Sequence, residues 1–269
     1  NSNKGCIKLP FKLVNNLIIL PIEVNGISLN FLVDTGIKET ILFSLDEKKE
    51  IQLFDVEKVK IKGFGSQETI EGLKAYRNTL SVKGLEFKNQ EIVVILDENF
   101  NFSSSLGIEV NGIIGSHFFS QNIIKIDYNR KKIFIYNPKR YRRRKVLSKF
   151  EAFDFELKDS KPYIVMQVQI DSKIFDAKCL IDSGNSDGLW LFPDKHVDTV
   201  VPKRNFDEYL GRGFSGNIFG KKAKINSLSL GNYHFQNVIT AFPEERTFLD
   251  LNMVENRLGS IGGEFLRRF

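Results

Sequence analysis

The strongest constraint on this chain is that it is written twice. FLVDTG at 31 to 36 and CLIDSG at 179 to 184 share one pattern, apolar residues followed by Asp, a hydroxyl residue and Gly, and their aspartates, Asp34 and Asp182, stand 148 residues apart. At that offset Gly63-Phe64-Gly65 falls on Gly211-Arg212-Gly213, Gly72 falls on Gly220, and LSVKGLEFKN at 80 to 89 falls on LSLGNYHFQN at 228 to 237. At an offset of 147, GIIGSHFF at 112 to 119 lies over GSIGGEFL at 259 to 266. Landmarks agreeing to within one residue along the chain are the signature of a tandem duplication, so any fold must accommodate one unit twice.

The repeated unit reads as strands. LIILPIEV at 17 to 24 and SLNFLVD at 28 to 34 flank Asn25-Gly26, a dipeptide suited to the positive φ angles of a tight hairpin turn. IIKIDY at 123 to 128 and IFIY at 133 to 136 flank NRKK as a second hairpin. Helical periodicity is scarce: short helices are predicted after Gly115 and after Gly262, and a possible turn at 194 to 199. An all-β class follows.

Composition excludes several functions. With 269 residues, 42% hydrophobic, the chain can bury a large core, and its apolar runs, such as IVVIL at 92 to 96, are of strand length, so no membrane span is expected. The formal charge of +6 is concentrated in KRYRRRK at 139 to 145, which holds six basic residues and no acid. Basic residues gathered in one segment read as a solvated linker, not as a face that binds nucleic acid. Two cysteines, Cys6 and Cys179, make no disulfide framework. The expected organisation is an N-terminal lobe over 1–138, a basic linker over 139–149 and a C-terminal lobe over 150–269. The second copy stops at Phe269, the counterpart of Asn122, so the lobe is expected to be truncated at its end, as in a fragment of a longer chain.

Other chemistries fit poorly. SGNSDG at 183 to 188 superficially resembles a calcium loop, but its first ligand would be Ser183 and no helices flank it. His117, His196 and His234 show no close metal-ligand spacing, and Ser116-His117 is not set in a GxSxG elbow, so neither a metal nor a cofactor is expected.

Two Asp-Thr/Ser-Gly loops, each preceded by apolar strand residues and followed by a Gly-rich stretch and then by Ile113-Ile114-Gly115 or Ser260-Ile261-Gly262, resemble the aspartic peptidases across almost the whole chain. Each half resembles one retropepsin-type unit, and the two together resemble a bacterial single-chain, pepsin-like arrangement. The resemblance implies two β-barrel lobes related by a pseudo-twofold axis, with short helices after the apolar-apolar-Gly signatures, and an aspartic endopeptidase with its site between the lobes. Asp34 and Asp182 would form the catalytic dyad. Gly36 and Gly184 would bring backbone N–H groups to the carboxylates, and Thr35 and Ser183 would tie the two loops together. Gly63, Phe64, Gly65, Gly211 and Gly213 are flap candidates, although the N-terminal flap tyrosine of pepsin-like enzymes has no counterpart between Gly63 and Gly72. The implied partner is a peptide or protein substrate, and no homodimer is required. The bacterial members of the family are often exported, which implies a periplasmic, cell-surface or secreted location.

One departure bears on activity. The family usually has Ala or Ser after each Asp-Thr/Ser-Gly, whereas this chain has Ile37 and Asn185. Isoleucine offers no side-chain donor to the adjacent carboxylate and occupies more space. A catalytically impaired peptide-binding protein of the same fold is therefore the alternative reading, with a scaffold role through the basic linker as a third.

Overall fold

A computed structural model describes residues 6–43, 51–62, 69–96, 102–141, 150–193, 200–213, 216–244 and 256–269. Gly63, Phe64, Gly65, most of the basic stretch and the possible turn at 194 to 199 lie outside these residues. The chain divides into two compact units, with the break between Ala152 and Phe153.

The first unit runs β1 (Cys6–Pro10), β2 (Lys12–Val14), β3 (Leu17–Val24), β4 (Ile27–Asp34), β5 (Thr40–Leu42), β6 (Val56–Lys62), β7 (Thr69–Val82), β8 (Leu85–Ile95), α1 (Ser103–Leu106), β9 (Gly112–Gly115), α2 (Ser116–Phe119), β10 (Ile123–Asp127) and β11 (Lys132–Tyr136). The second runs β12 (Glu156–Lys158), β13 (Lys161–Ile170), β14 (Lys173–Ile181), β15 (Leu189–Leu191), β16 (Asn205–Gly213), β17 (Gly216–Leu230), β18 (Tyr233–Pro243), β19 (Arg257–Ile261) and a last helix, α3 (Gly263–Leu266). The all-β expectation holds, with the two short helices where the glycine signatures placed them.

Alternation of apolar and polar residues makes the strands and sets their faces. In β3, Leu20, Ile22 and Val24 are buried while Pro21 and Glu23 are exposed; in β13, Met166, Val168 and Ile170 are buried while Val165 is exposed. The turn between β3 and β4 takes the expected form, with Asn25 at φ 49° and Gly26 at φ 90°.

Sheet order shows the duplication directly. The first unit has the order β2-β3-β4-β9-β5-β8-β7-β6 and the second β12-β13-β14-β19-β15-β18-β17-β16. In both, the second strand of that order also pairs with the seventh, β3 with β7 and β13 with β17, which closes six strands into a barrel. The first unit adds a separate three-stranded sheet, β1-β11-β10.

The innermost strands are those that carry the repeated motifs. Strand β9 runs parallel to β4, with Phe31 opposite Gly112 and Asp34 opposite Gly115, and antiparallel to β5. Its residues Gly112, Ile113, Ile114 and Gly115 are all buried, as expected for a strand covered on both faces. Glycine is needed there because the chains come too close for a side chain: a Cβ at Gly112 would lie 2.4 Å from the Ile41 carbonyl oxygen, and one at Gly259 in β19 would lie 2.1 Å from that of Trp190.

Candidate active site

Asp34 is the last residue of β4, at the point where the chain leaves the middle of the barrel. It is 9% exposed, so its carboxylate is held largely by the protein. The turn through Thr35 and Gly36 brings the Gly36 N–H back onto Asp34 Oδ1 at 2.7 Å. A donor on that oxygen fixes the plane of the carboxylate. The following loop is seated on the start of α2: Ser116 N donates to Ile37 O at 2.8 Å and His117 N to Lys38 O at 3.2 Å.

The second unit repeats the construction. Asp182 follows β14, its N–H donates to Ile261 O at 2.9 Å, and Gly184 N donates to Asp182 Oδ1 at 3.1 Å. Gly263 N, at the start of α3, donates to Asn185 O at 2.7 Å, the counterpart of the Ser116 bond to Ile37. Each glycine of the two Asp-Thr/Ser-Gly motifs thus supplies a backbone donor to its own aspartate. Ser183 is buried at 2% exposure and Thr35 is half-buried.

The loops differ in length. Leu189 pairs with Ile261 where Thr40 pairs with Ile114, so the segment from Asp182 to β15 is one residue longer than that from Asp34 to β5. Asp187 occupies this longer loop: its N–H donates to Asn185 Oδ1 at 2.9 Å, and its carboxylate accepts from Trp190 Nε1 at 2.8 Å and Lys222 Nζ at 3.1 Å. Asn185 and Asp187, two of the residues that give the loop its resemblance to a calcium loop, are thereby engaged with one another, and Asp187 with the barrel. Among the described residues no group of three or more His, Cys, Asp or Glu could hold a metal.

Ile37 is 7% exposed and belongs to the buried apolar set of its unit. Asn185, its counterpart, is half-buried and caps the longer loop through Asp187. The positions that depart from the family pattern are thus used in different ways, one for packing and one for loop closure.

Gly211 and Gly213 lie at the far end of the β16/β17 hairpin, with Gly213 opposite Gly216. Gly211 sits beside a register shift at φ 133°, backbone that L side chains rarely adopt. Tyr209 and Phe219 face one another across this hairpin with ring centres 5.6 Å apart, and both are exposed. Tyr209 lies two residues before Gly211, ahead of the second Gly-rich stretch.

Arg257 lies outside the repeated motifs. Arg257, part-buried at the start of β19, donates through Nε to Gly259 O at 3.1 Å and through Nη2 to Ser260 Oγ at 2.6 Å. Loss of hydration lowers its pKa below the ordinary arginine value, while the negative charge of Asp182 pulls it the other way. The sequence signal was available: at the offset that aligns the glycine signatures, Arg257 falls on Val110 and Ser260 on Ile113.

Residues 20–118 match the family described as aspartyl protease. Among solved structures, a retropepsin-like aspartic protease from Rickettsia conorii is 16% identical, with 49% of this chain and 91% of that chain covered and a TM-score of 0.35. The EIAV protease, solved with the inhibitor HBY-793, is 18% identical, with 38% and 84% covered and a TM-score of 0.27. No curated protein matches. Among the described residues no helix is long and apolar enough to cross a membrane.

Proposed function

We propose that the chain is an aspartic endopeptidase in which Asp34 and Asp182 act as one dyad. The observation that carries this reading is a construction found twice: an aspartate at the end of an inner barrel strand, with the N–H of the glycine two residues on donating to its Oδ1. A single such aspartate reads as an ordinary turn residue. Its recurrence at the same place in two copies of one fold supports a paired role.

Hydrolysis without a covalent nucleophile needs a base to activate water and an acid to protonate the carbonyl oxygen. Two carboxylates sharing one proton supply both. Water loses a proton to the ionised aspartate as its oxygen bonds to the scissile carbonyl carbon, and the protonated aspartate gives its proton to the carbonyl oxygen. Breakdown of the tetrahedral intermediate then returns a proton to the leaving amine. The substrate is an extended peptide whose main chain hydrogen-bonds as an added strand, with alternate side chains setting specificity.

The test is cleavage of a mixed peptide library from acidic to neutral pH, with Asp34→Asn and Asp182→Asn as near-isosteric variants. Each is expected to lower kcat/KM by at least about 100-fold while leaving the thermal transition in place. Cleavage retained by either variant excludes the dyad. Peptide binding without cleavage at any pH would replace the enzyme with the binding protein that Ile37 raises as the alternative.

A further inference from the structure

Arg257 breaks the symmetry of the duplication at a point that matters. Val110 and Ile113 are buried apolar residues of the first unit, and the second has Arg257 and Ser260 in their places, hydrogen-bonded to each other. The correspondence is anchored in the backbone: Phe43 N donates to Asn111 O at 2.9 Å, and Phe192 N donates to Leu258 O at 2.8 Å. Two apolar positions have thus become a charged and a polar residue that touch. Withdrawing an arginine from water is unfavourable unless its charge does something there.

Its direction indicates what that is. The side chain runs from position 257 along β19, donates to Gly259 O and Ser260 Oγ, and sets its guanidinium 5.2 Å from the centre of the Phe192 ring. Ser260 is the register partner of Leu180, two residues before Asp182. Both hydrogen bonds go to neutral oxygens, so the positive charge remains to act on its surroundings. Asp182 is the foremost charge acting on Arg257 in return.

Among the described residues, the neighbouring ionisable groups do not take that charge up. Lys178, the register partner of Arg257, is paired with Glu156, and Lys222 with Asp187. Burial pushes the Cys179 thiol up to about 12 and raises the Tyr163 hydroxyl, so both are neutral at working pH.

We propose that Arg257 is a positioning residue: a cation anchored on Ser260 that holds Asp182 as the carboxylate base and leaves the shared proton to Asp34. The assignment rests on the dyad reading above and gives it a direction. Asp182 takes the proton from water as the oxygen–carbon bond forms, and Asp34 delivers its proton to the carbonyl oxygen.

The experiment follows the Asp182 carboxyl carbon by 13C NMR through a pH titration in the Asp34→Asn background, where Asp182 is the ionisable member left. Arg257→Leu is expected to raise its midpoint by about one pH unit or more, because an anion loses a nearby cation. Arg257→Lys is expected to restore most of that shift. Arg257→Val combined with Ser260→Ile, which installs the first unit's pair, is expected to give the same upward shift should Arg257→Leu alone fold poorly. With Asp34 present, the acidic limb of the kcat/KM profile is expected to move up equally, a loss of about tenfold one unit below the original limb. An Asp182 midpoint unchanged in Arg257→Leu and in the double variant overturns the proposal. So does a loss of activity that Arg257→Lys does not recover and that leaves the pH profile unshifted, since this is the mark of packing alone. The titration needs no turnover, so its outcome is separate from that of the dyad: cleavage surviving Asp34→Asn defeats the dyad reading whatever Asp182 does.

Discussion

Replacing Gly115 by alanine tests whether the Asp34 loop is seated as the structure describes. Gly115 has φ −83°, which any residue can adopt, so backbone strain is not the issue. Space is: a Cβ there would stand 2.3 Å from Glu39 O and 2.5 Å from Lys38 O, about 1 Å inside the 3.4 Å at which ordinary contact begins. Both atoms are backbone, and their loop is tied down by the hydrogen bonds from Ser116 N and His117 N to Ile37 O and Lys38 O. The loop must therefore retreat and strain those bonds. Overpacking of this kind costs about 1–3 kcal/mol, and a weakened buried hydrogen bond adds about 1 kcal/mol, giving an expected loss of about 2–4 kcal/mol in urea unfolding. Activity should fall further than stability explains. Ile37 follows directly on Gly36, whose N–H orients the Asp34 carboxylate, and a misplacement of about 1 Å at a reacting group costs about 100-fold in kcat. Peptide hydrolysis measured well below the unfolding midpoint separates the two effects. Gly112→Ala is the control: its Cβ would meet Ile41 O at 2.4 Å and the Phe31 ring, strands and not the loop, so a comparable loss of stability with a smaller loss of kcat is expected. Gly115→Ala within about 0.5 kcal/mol of the parent and fully active would refute the seating argument. An equal fall in kcat for Gly112→Ala would reduce it to general strain.

The two cysteines should separate by reactivity: Cys6 is half-buried and Cys179 fully buried, so at pH 8 a thiol reagent should label Cys6 promptly and Cys179 only at the rate of unfolding, and prompt labelling of both would contradict the packing of β14. Because burial raises the Cys179 thiol from 9.0 to about 12, the neutral form is favoured in the folded state; that contribution is complete below pH 9 and is lost as pH rises from about 9 to about 12, by about 1.4 kcal/mol per unit. Cys179→Ala should flatten the alkaline limb of a stability–pH curve, and an unchanged slope would count against it. Asn78, fully buried beside a register shift in β7, accepts from Asn25 Nδ2 at 2.9 Å and donates to Tyr76 O at 3.1 Å; Asn78→Ala should cost about 2–3 kcal/mol in denaturant unfolding, and a neutral result would mean the network is not what fixes the β3/β4 turn.

The features legible in the sequence were those carried by period and spacing. The duplication, the hairpin at Asn25-Gly26 and the short helices after Gly115 and Gly262 each depend on a few residues close together, and such patterns survive in a one-dimensional reading. Pairing over long sequence distance does not. Nothing in KLVNNL or GIIG announces that β9 will sit between β4 and β5, because that placement is decided by burial on both faces and by glycines that let carbonyls approach. Helix α1 has no signature in the sequence because Ser103–Leu106 has no apolar periodicity; it is held by Ser103 Oγ, which accepts from Val110 N at 2.9 Å. The extra residue in the Asp182 loop was hidden for a different reason. Thr40 and Leu189 both lead strands paired to β8 and β18, at Ile92 and Thr240, so the offset is 149 at one strand and 148 at the other. An insertion compensated before the next landmark leaves no trace in a constant-offset comparison.

The same comparison, applied to differences instead of agreements, locates what the duplication allowed to change. A symmetric dimer of identical units would have to place the same residue beside both aspartates, so any cation offered to one would be offered to the other. Two copies in one chain are free of that condition. The first unit keeps Val110 and Ile113 as barrel packing, whereas the second trades both for Arg257 and Ser260 without altering the register of Gly259 and Ile261 against Cys179 and Ile181. The scaffold thus stays common and the charge becomes local. On the proposed dyad reading, two carboxylates that hold opposite protonation states are better served by environments that differ than by environments that match. For this chain the informative positions are therefore those where a buried residue of one copy meets a residue of different polarity in the other.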